Sequence, residues 1–204
     1  LNEVRNIRFK KVVQTVSYMP HFISTVVVVG MINMFLSPSR GIINTFIENL
    51  GFEKINFMLD PKYFRSIYVI SGIWQGMGWG AIIYIAALSN IDQQLYEAAA
   101  IDGATKFKRI IHITIPCIAP TIIITFLLRT GSLLSVGFEK AFLMQTPATY
   151  SKSDVLSTYV YRQGLISGNF GYASAVGMFN AIVNLAFLTI SNFLSRRYSE
   201  ISLW

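Results

Sequence analysis

The chain has 204 residues, of which 53% are hydrophobic and 13% are charged, whereas soluble domains contain about 25% charged residues. A mean hydropathy of +0.50 argues against an ordinary soluble domain, because a chain this apolar would expose large hydrophobic patches to water. The net charge of +7 suits a protein that binds nucleic acid or an anionic membrane surface, and it also suits a membrane protein with basic cytoplasmic loops.

Four stretches are long and apolar enough to cross a bilayer, which takes about 20 residues. The first, second and fourth of them contain no Asp, Glu, Lys or Arg, whereas the third contains Arg129. In chain order the predicted spans are Val12–Leu36, Ser66–Leu88, Ile110–Leu134 and Ala173–Leu194. Because the sequence begins with Leu1 rather than Met, we expect a longer protein whose beginning is missing, and four spans is then a minimum.

Proline and glycine predict the shapes of these spans. Pro20 in the first span and the pair Pro116 and Pro120 in the third remove backbone donors and predict kinks. The second span is rich in glycine, which lets neighbouring helices approach closely in a membrane. Its glycines are Gly72, Gly76, Gly78 and Gly80.

The distribution of Lys and Arg predicts the orientation of the chain. The segments 1–11, 89–109 and 195–204 carry nine basic residues, whereas the longer connections 37–65 and 135–172 carry seven. Basic residues concentrate on the cytoplasmic side of membrane proteins, so we expect the loop 89–109 and the C-terminus to be cytoplasmic. This bias explains the basic character of the chain without nucleic acid.

The loop 89–109 predicts a short helix with a clear start and end. Asp92 is placed to cap the helix, and Gly103 is a natural stop. Thr105 is placed to start the next helix, which continues into the third span. A face of alanines permits close docking on another protein, while Glu97 and Asp102 could fix the register by hydrogen bonds. From composition alone, an ordinary soluble loop with a helical turn explains the segment equally well.

The order of residues in and after this loop resembles a family signature. Glu97-Ala98-Ala99 is followed by Gly103, then by Ile113 and Pro116. This pattern resembles the EAA motif of permease subunits of binding-protein-dependent ABC importers, with Ile115 where that family usually has leucine. The segments Gly80–Asp92, Asp102–Thr105 and Tyr198–Trp204 are similar to the sugar-importing branch. Within that branch, three segments are most similar to permeases for oligosaccharides or polysaccharide fragments, namely Leu128–Gly131, Gly137–Leu143 and Asp154–Arg162.

The resemblance implies an all-α membrane protein, a transmembrane helix bundle of the type I ABC importer permease kind. It covers residues 1–204, with the present spans as the last four of a six-span core and two N-terminal spans missing. It also implies that the loop 89–109 couples the permease to a cytoplasmic ATPase through five residues, namely Glu97, Ala98, Ala99, Asp102 and Gly103. The implied partners are two ATPase subunits, a second permease subunit, identical or homologous, an extracytoplasmic solute-binding protein and a carbohydrate, in the plasma membrane.

Three residues near the outer end of the third span are candidates for the translocation path. Arg129 either faces that path or extends its charge to the membrane interface. Phe138 and Glu139 could offer an aromatic face and a polar group to a sugar, although packing of Phe138 and solvation of Glu139 explain them as well.

The two longer connections, 37–65 and 135–172, are then the outer connections, and both are expected to be partly structured. In the second, Ser153 is placed to cap a helix that begins at Asp154 and runs toward Gly164. Tyr159 and Tyr161 on this helix suit a membrane interface or the mouth of a pore.

Other classes of function find less support in the sequence. Cys117 is the only cysteine, which excludes an internal disulfide, and His21 and His112 are isolated, so we expect no metal site and no cofactor. No phosphate-binding loop is present, which assigns ATP hydrolysis to other subunits. An intramembrane enzyme would need paired ionisable groups, whereas the spans offer only Arg129. A permease for a different solute class and a passive membrane scaffold remain open alternatives.

Overall fold

The computed structural model describes residues 6–199 and 202–203, and these residues form helices and no strands, which confirms the predicted fold class. Arg5 of the charge count and Glu200, Ile201 and Trp204 of the C-terminal resemblance lie outside the described residues. The α-helices of the described part are, in chain order, α1 (Ile7–Tyr18), α2 (Thr25–Leu36), α3 (Ile42–Asn49), α4 (Pro61–Ser89), α5 (Gln93–Ile101), α6 (Lys106–Arg109), α7 (Ile115–Thr130), α8 (Phe138–Met144), α9 (Tyr150–Ser153), α10 (Leu156–Tyr161) and α11 (Phe170–Ser199).

Within the described residues, three continuous helical segments are long and apolar enough to span a membrane. They are Pro61–Ser89, Lys106–Thr130 and Phe170–Arg197. These segments confirm the predicted second, third and fourth spans, although the third ends at Thr130 rather than Leu134. Few of their side chains are buried within the chain, so most of their apolar surface is available to lipid or to other subunits.

The first predicted span is broken rather than merely kinked. A 3₁₀ turn at Met19–Phe22 separates α1 from α2, and α2 starts afresh with the Ser24 side chain accepting a hydrogen bond from the Val27 amide. Pro20, which lacks an N–H group, is buried in the turn. The two helices qualify as one span only when they are taken together across the break.

The third span contains a wide turn where the proline pair was expected to cause a kink. A π-helix at Ile110–Thr114 joins α6 to α7 directly before Pro116. The Thr114 hydroxyl lies 3.5 Å from the Arg109 carbonyl and can donate to it. Hydroxyls that donate back to a carbonyl of the preceding turn often bend helices, so this contact accompanies the distortion of the span.

The connections 37–65 and 135–172 are structured, as expected, but one predicted helix is placed differently. Ser153 ends α9 rather than capping the next helix, and α10 begins at Leu156 after Val155. Gly164 lies inside a π-helix, Arg162–Ile166, and does not end a helix. A Cβ atom there would come within 2.6 Å of Ala173 Cβ. Glycine at this position therefore allows the π-helix to pack closely against α11.

Asn44 organises the connection 37–65. Its side chain is fully buried, and its amide nitrogen donates to the carbonyls of Leu36, Ser37 and Ile55 at 2.9–3.2 Å. Its amide oxygen accepts from the Ile55 N–H at 2.8 Å. One polar side chain thereby fixes the end of α2, the start of α3 and the following loop, because each buried backbone group finds a partner.

The chain divides into two compact units. The first contains Leu1–Tyr18, Met77–Ser132 and Val183–Trp204, and the second contains Met19–Gly76 and Leu133–Ile182. In the first unit, α1 and α4 touch at Gly78, where a Cβ atom would overlap the Ser17 carbonyl.

The second unit has a small apolar core. Val29, Phe64 and Met144 form this buried cluster, and Ile32, Met58, Ile67 and Tyr68 pack against it.

Candidate functional site

The helix predicted in the loop 89–109 is present as α5, and its start is capped as expected. The Asp92 carboxylate accepts a hydrogen bond from the Gln94 amide at 2.9 Å. A carboxylate at this position pairs with an amide that the helix leaves free, and it also suits the positive end of the helix dipole.

The end of α5 is a Schellman motif centred on Gly103. The Ala104 amide donates to the Ala99 carbonyl at 2.9 Å, and the Gly103 amide donates to the Ala100 carbonyl at 3.2 Å. Gly103 has a φ of +71°, which glycine adopts without the penalty that a Cβ atom brings. No atom of the described chain lies within 4 Å of a Cβ placed there, so backbone conformation, and not space within this chain, requires the glycine.

A side-chain contact ties α5 to the span that follows. The hydroxyl groups of Tyr96 and Thr114 are 2.8 Å apart. Thr105 caps the intervening α6 by accepting from the Lys108 amide at 3.4 Å. A displacement of α5 therefore acts directly on the first turns of the span Lys106–Thr130.

The proposed contact residues of α5 lie at the surface. Glu97, Ala98, Asp102 and Gly103 are exposed, and Ala99 is half-buried. Two large apolar side chains beside them are also exposed, namely Ile101 at 87% and Phe107 at 71%. Exposed apolar side chains clustered with small residues are typical of a surface that another protein covers.

Phe138 and Glu139 are neighbours on α8 but line different cavities of the second unit. Phe138 stacks on Phe142 with ring centres 5.3 Å apart and touches Tyr161 at the same distance. This aromatic cluster borders a cavity of about 350 Å³ that also includes Asn180. Such a cavity presents aromatic faces together with polar groups, as small-molecule sites commonly do.

Glu139 lines a larger and more polar cavity of about 570 Å³. His21, Ser24, Thr25 and Gln75 line the same space, and the Gln75 amide donates to the Ile23 carbonyl at 2.9 Å. The break between α1 and α2 supplies one wall of this cavity, because residues 21–24 of the break line the cavity together with Thr25 at the start of α2.

Arg129 belongs to the first unit, in the last turn of α7, and is exposed. A cation in that position suits the negative end of the helix dipole. The position of Arg129 at the end of α7 therefore has a structural explanation. Arg129 belongs to a different compact unit from Phe138 and Glu139.

Lys140 is a residue of this region that the sequence did not single out. It is only 9% exposed, its amine donates to the Tyr68 carbonyl at 2.9 Å, and it lies 4.8 Å from the centre of the Tyr68 ring. Burial lowers the pKa of Lys140, since it disfavours the charged form. Its neighbour Gly72 leaves room for the amine, because a Cβ atom there would lie 3.3 Å from it.

Arg162 fixes the start of α10. It pairs with Asp154 and lies 4.9 Å from the centre of the Tyr150 ring. Its hydrogen bond to Asp154 raises the pKa of the guanidinium group. Among the described residues, no cluster of three His, Cys, Asp or Glu side chains could hold a metal ion.

Comparison with known proteins identifies the class of this chain. Residues 3–200 match the family described as "Binding-protein-dependent transport system inner membrane component". The chain belongs to this family of transport permeases, whose members are embedded in the plasma membrane with several spans. A permease component of this kind is not itself the catalytic subunit of its transporter.

Particular relatives narrow the comparison to the sugar branch of the family. Over 200 residues the chain is 42% identical to the polygalacturonan/rhamnogalacturonan transport system permease protein YteP of Bacillus subtilis and 40% identical to protein LplB of the same organism. These matches cover 98% of the chain but 62% and 63% of the two relatives, so the chain spans less than two thirds of their length.

A solved structure shares both sequence and fold with the chain. In the crystal structure of a bacterial alginate ABC transporter with an alginate pentasaccharide-bound periplasmic protein, one chain is 44% identical, with a TM-score of 0.96. The match covers 99% of this chain and 70% of that one. The helical fold is therefore that of an ABC transporter permease.

Proposed function

We propose that the chain is a permease subunit of a type I ABC importer that moves an oligosaccharide across the plasma membrane into the cytoplasm. The observation that carries this proposal is the exposed, doubly capped helix α5, tied to the span Lys106–Thr130 by the contact between Tyr96 and Thr114. Family membership supports the same assignment.

In this proposal the loop 89–109 is cytoplasmic and α5 docks on an ATPase subunit through Glu97, Ala98, Ala99, Asp102 and Gly103. Two ATPase subunits hydrolyse ATP, and a second permease subunit, identical or homologous, completes the pathway. When ATP draws the ATPase subunits together, α5 moves with them and its contact with Thr114 passes the motion to the span. The spans thereby tilt between an inward-open and an outward-open arrangement. ATP can shift this equilibrium only because it binds the transporter with different affinity in the two arrangements.

A carbohydrate cargo is supported by the cavities of the second unit and by the names of the relatives. Glu139, Gln75 and His21 offer groups that can hydrogen-bond to hydroxyls, and Phe138 offers an aromatic face. One relative is named for polygalacturonan and rhamnogalacturonan, and the alginate transporter was solved with a sugar-bound periplasmic protein. We infer that an extracytoplasmic binding protein delivers an oligosaccharide to this unit.

The test is the substitution Gly103→Asp in the assembled transporter, measured by ATP-dependent uptake of labelled oligosaccharides. We expect normal membrane insertion and loss of uptake, because a side chain at this turn strains the backbone and adds bulk and charge to the docking surface. Gly51→Asp is the matched control, since Gly51 also has a positive φ of +85° and open space around it but lies in the first outer connection. Normal uptake by the Gly103 variant would refute the coupling assignment, and equal loss in both variants would show that backbone strain alone is responsible.

A further inference from the structure

A cavity of about 360 Å³ lies where the loop 89–109 meets the span Lys106–Thr130. Ala99 and Ala104 of the Schellman motif form one side of it, and residues of α6 and the π-helix form the other. We call it the basic cavity, and its lining residues are Ala99, Ala104, Lys108, Arg109, His112 and Ile113.

The charges around the basic cavity lack a counter-ion within the described residues. Neither Lys108 nor Arg109 lies within 4 Å of a carboxylate in that part of the chain. The Nε atom of Arg109 is buried and has no hydrogen-bond partner there, which is costly for a charged donor. His112 Nδ1 lies 3.0 Å from the Lys108 carbonyl, and this contact fixes the imidazole ring at the edge of the cavity. The cavity therefore suits an anion.

The depth of the cavity follows from the length of the span. The segment Lys106–Thr130 has 25 residues and measures about 38 Å at the α-helical rise, whereas the hydrocarbon core of a bilayer is about 30 Å thick. About three residues at each end therefore extend beyond the hydrocarbon core toward the headgroup region. The sequence changes abruptly from basic residues at 106–109 to Ile110 and Ile111, whose side chains are 40% and 42% exposed.

We propose that the basic cavity binds the phosphate group of an anionic phospholipid from the cytoplasmic leaflet. The basic side chains lie at the depth of lipid phosphates, and the exposed isoleucines directly below them suit acyl chains. Basic pockets on the cytoplasmic side of membrane helices are known to take such headgroups. The choice of leaflet rests on the proposed function, which places the loop 89–109 in the cytoplasm.

A lipid in this cavity touches the coupling helix itself. Ala99 is at once a residue of the Glu97-Ala98-Ala99 motif and a wall of the basic cavity. The bound phosphate therefore holds α5 close to the start of the span. It also neutralises the charge of Arg109, where the loop 89–109 connects to the span.

The experiment measures lipid retained by the assembled transporter. The complex is reconstituted in nanodiscs of phosphatidylcholine mixed with phosphatidylglycerol, extracted and analysed by native mass spectrometry. We expect retained phosphatidylglycerol in the wild type and about fivefold weaker retention for Lys108→Gln and for Arg109→Gln. Lys106→Gln is the matched control, because this exposed lysine lies on the same helix but does not line the cavity. Added inorganic phosphate is expected to leave the retained lipid in place, which distinguishes a lipid headgroup from free phosphate.

Four outcomes would overturn the proposal. An equal loss for Lys106→Gln would indicate general attraction to the surface. Displacement of the lipid by inorganic phosphate would identify a free anion as the ligand. Loss of ATPase subunits from the Lys108→Gln complex with unchanged lipid would assign the cavity to an acidic side chain of a partner. Uptake measured on the same samples tests the proposed function separately, since a complex that transports but retains no phosphatidylglycerol contradicts the lipid site alone.

Discussion

Lys140 brings a positive charge into an enclosed part of the second unit. Its amine is held by the carbonyl and the ring of Tyr68, a residue on α4 that is distant in sequence. The contact requires Gly72 on the next turn of α4, which leaves space for the amine. These interactions position α8, and with it Phe138 and Glu139, against α4.

The burial of Lys140 predicts a pH dependence of stability. Because the pKa of Lys140 is lowered from 10.5 in the folded protein, the unfolded chain binds more protons between the lowered pKa and 10.5. The free energy of unfolding should therefore rise with pH across that window. We expect the thermal midpoint of the wild-type complex to rise toward pH 10.5 relative to Lys140→Met, as measured by intrinsic fluorescence. The exposed Lys152 provides the control variant Lys152→Met, which should follow the wild type, and parallel curves for all three proteins would contradict the prediction.

At the scale of residues, the features that depend on near neighbours in the chain were predicted correctly from the sequence. Asp92, Gly103 and Thr105 were placed correctly at helix ends, because capping depends on residues within one turn. Lys140 and Asn44 were not singled out, because their partners come from other elements and no local pattern marks them.

At the scale of elements, hydropathy located the spans but not their interruptions. The stretch Val12–Leu36 contains no Asp, Glu, Lys or Arg, and Pro20 indicated a disturbance without showing that the chain breaks and restarts at Ser24. The helix α3 was missed for a related reason, since it is held by the hydrogen bonds of Asn44 rather than by a long apolar pattern.

Two glycines of α4 provide a matched pair for testing helix packing. Gly78→Ala should destabilise the protein by about 1–3 kcal/mol, since its Cβ would overlap the Ser17 carbonyl on α1 and force the helices apart. Gly76→Ala should have little effect, because no atom of the described chain lies within 4 Å of its Cβ position. Thermal unfolding of the purified complexes compares the two variants. Similar midpoints for both would show that α1 and α4 do not touch at Gly78.

At the scale of the whole molecule, little of the apolar surface is buried within the chain. The spans leave most of their side chains exposed within the described residues, which suits a lipid environment. Composition predicted this membrane setting, and family membership explains it. The cavities beside Phe138 and Glu139 could not be predicted from the sequence, because cavities depend on how helices from distant segments meet.

The orientation of the chain can be tested by labelling with a membrane-impermeant maleimide. In a Cys117→Ala background, which removes the exposed native thiol, Glu97→Cys should react in inside-out vesicles and not in intact cells. The physical reason is the higher density of Lys and Arg in the loop 89–109 and the termini. Lys152→Cys, at an exposed position of the second outer connection, should react in intact cells instead. Labelling of Glu97→Cys from outside would reverse the topology and remove the proposed coupling role.

The wide turn at Ile110–Thr114 has a consequence for how the chain can vary. A π-helical turn holds one residue more than an α-helical turn, and each residue of an α-helix advances the chain by about 100° around the axis. Deleting a single residue here would convert the wide turn into a regular α-helical turn, which completes nearly the same revolution with one residue fewer, so the attached loop would keep its direction. Deleting a residue from the regular helix α7 would instead rotate the loop by about 100° relative to the rest of the span. The wide turn is therefore the place where the span can lose a residue without turning the proposed docking face away.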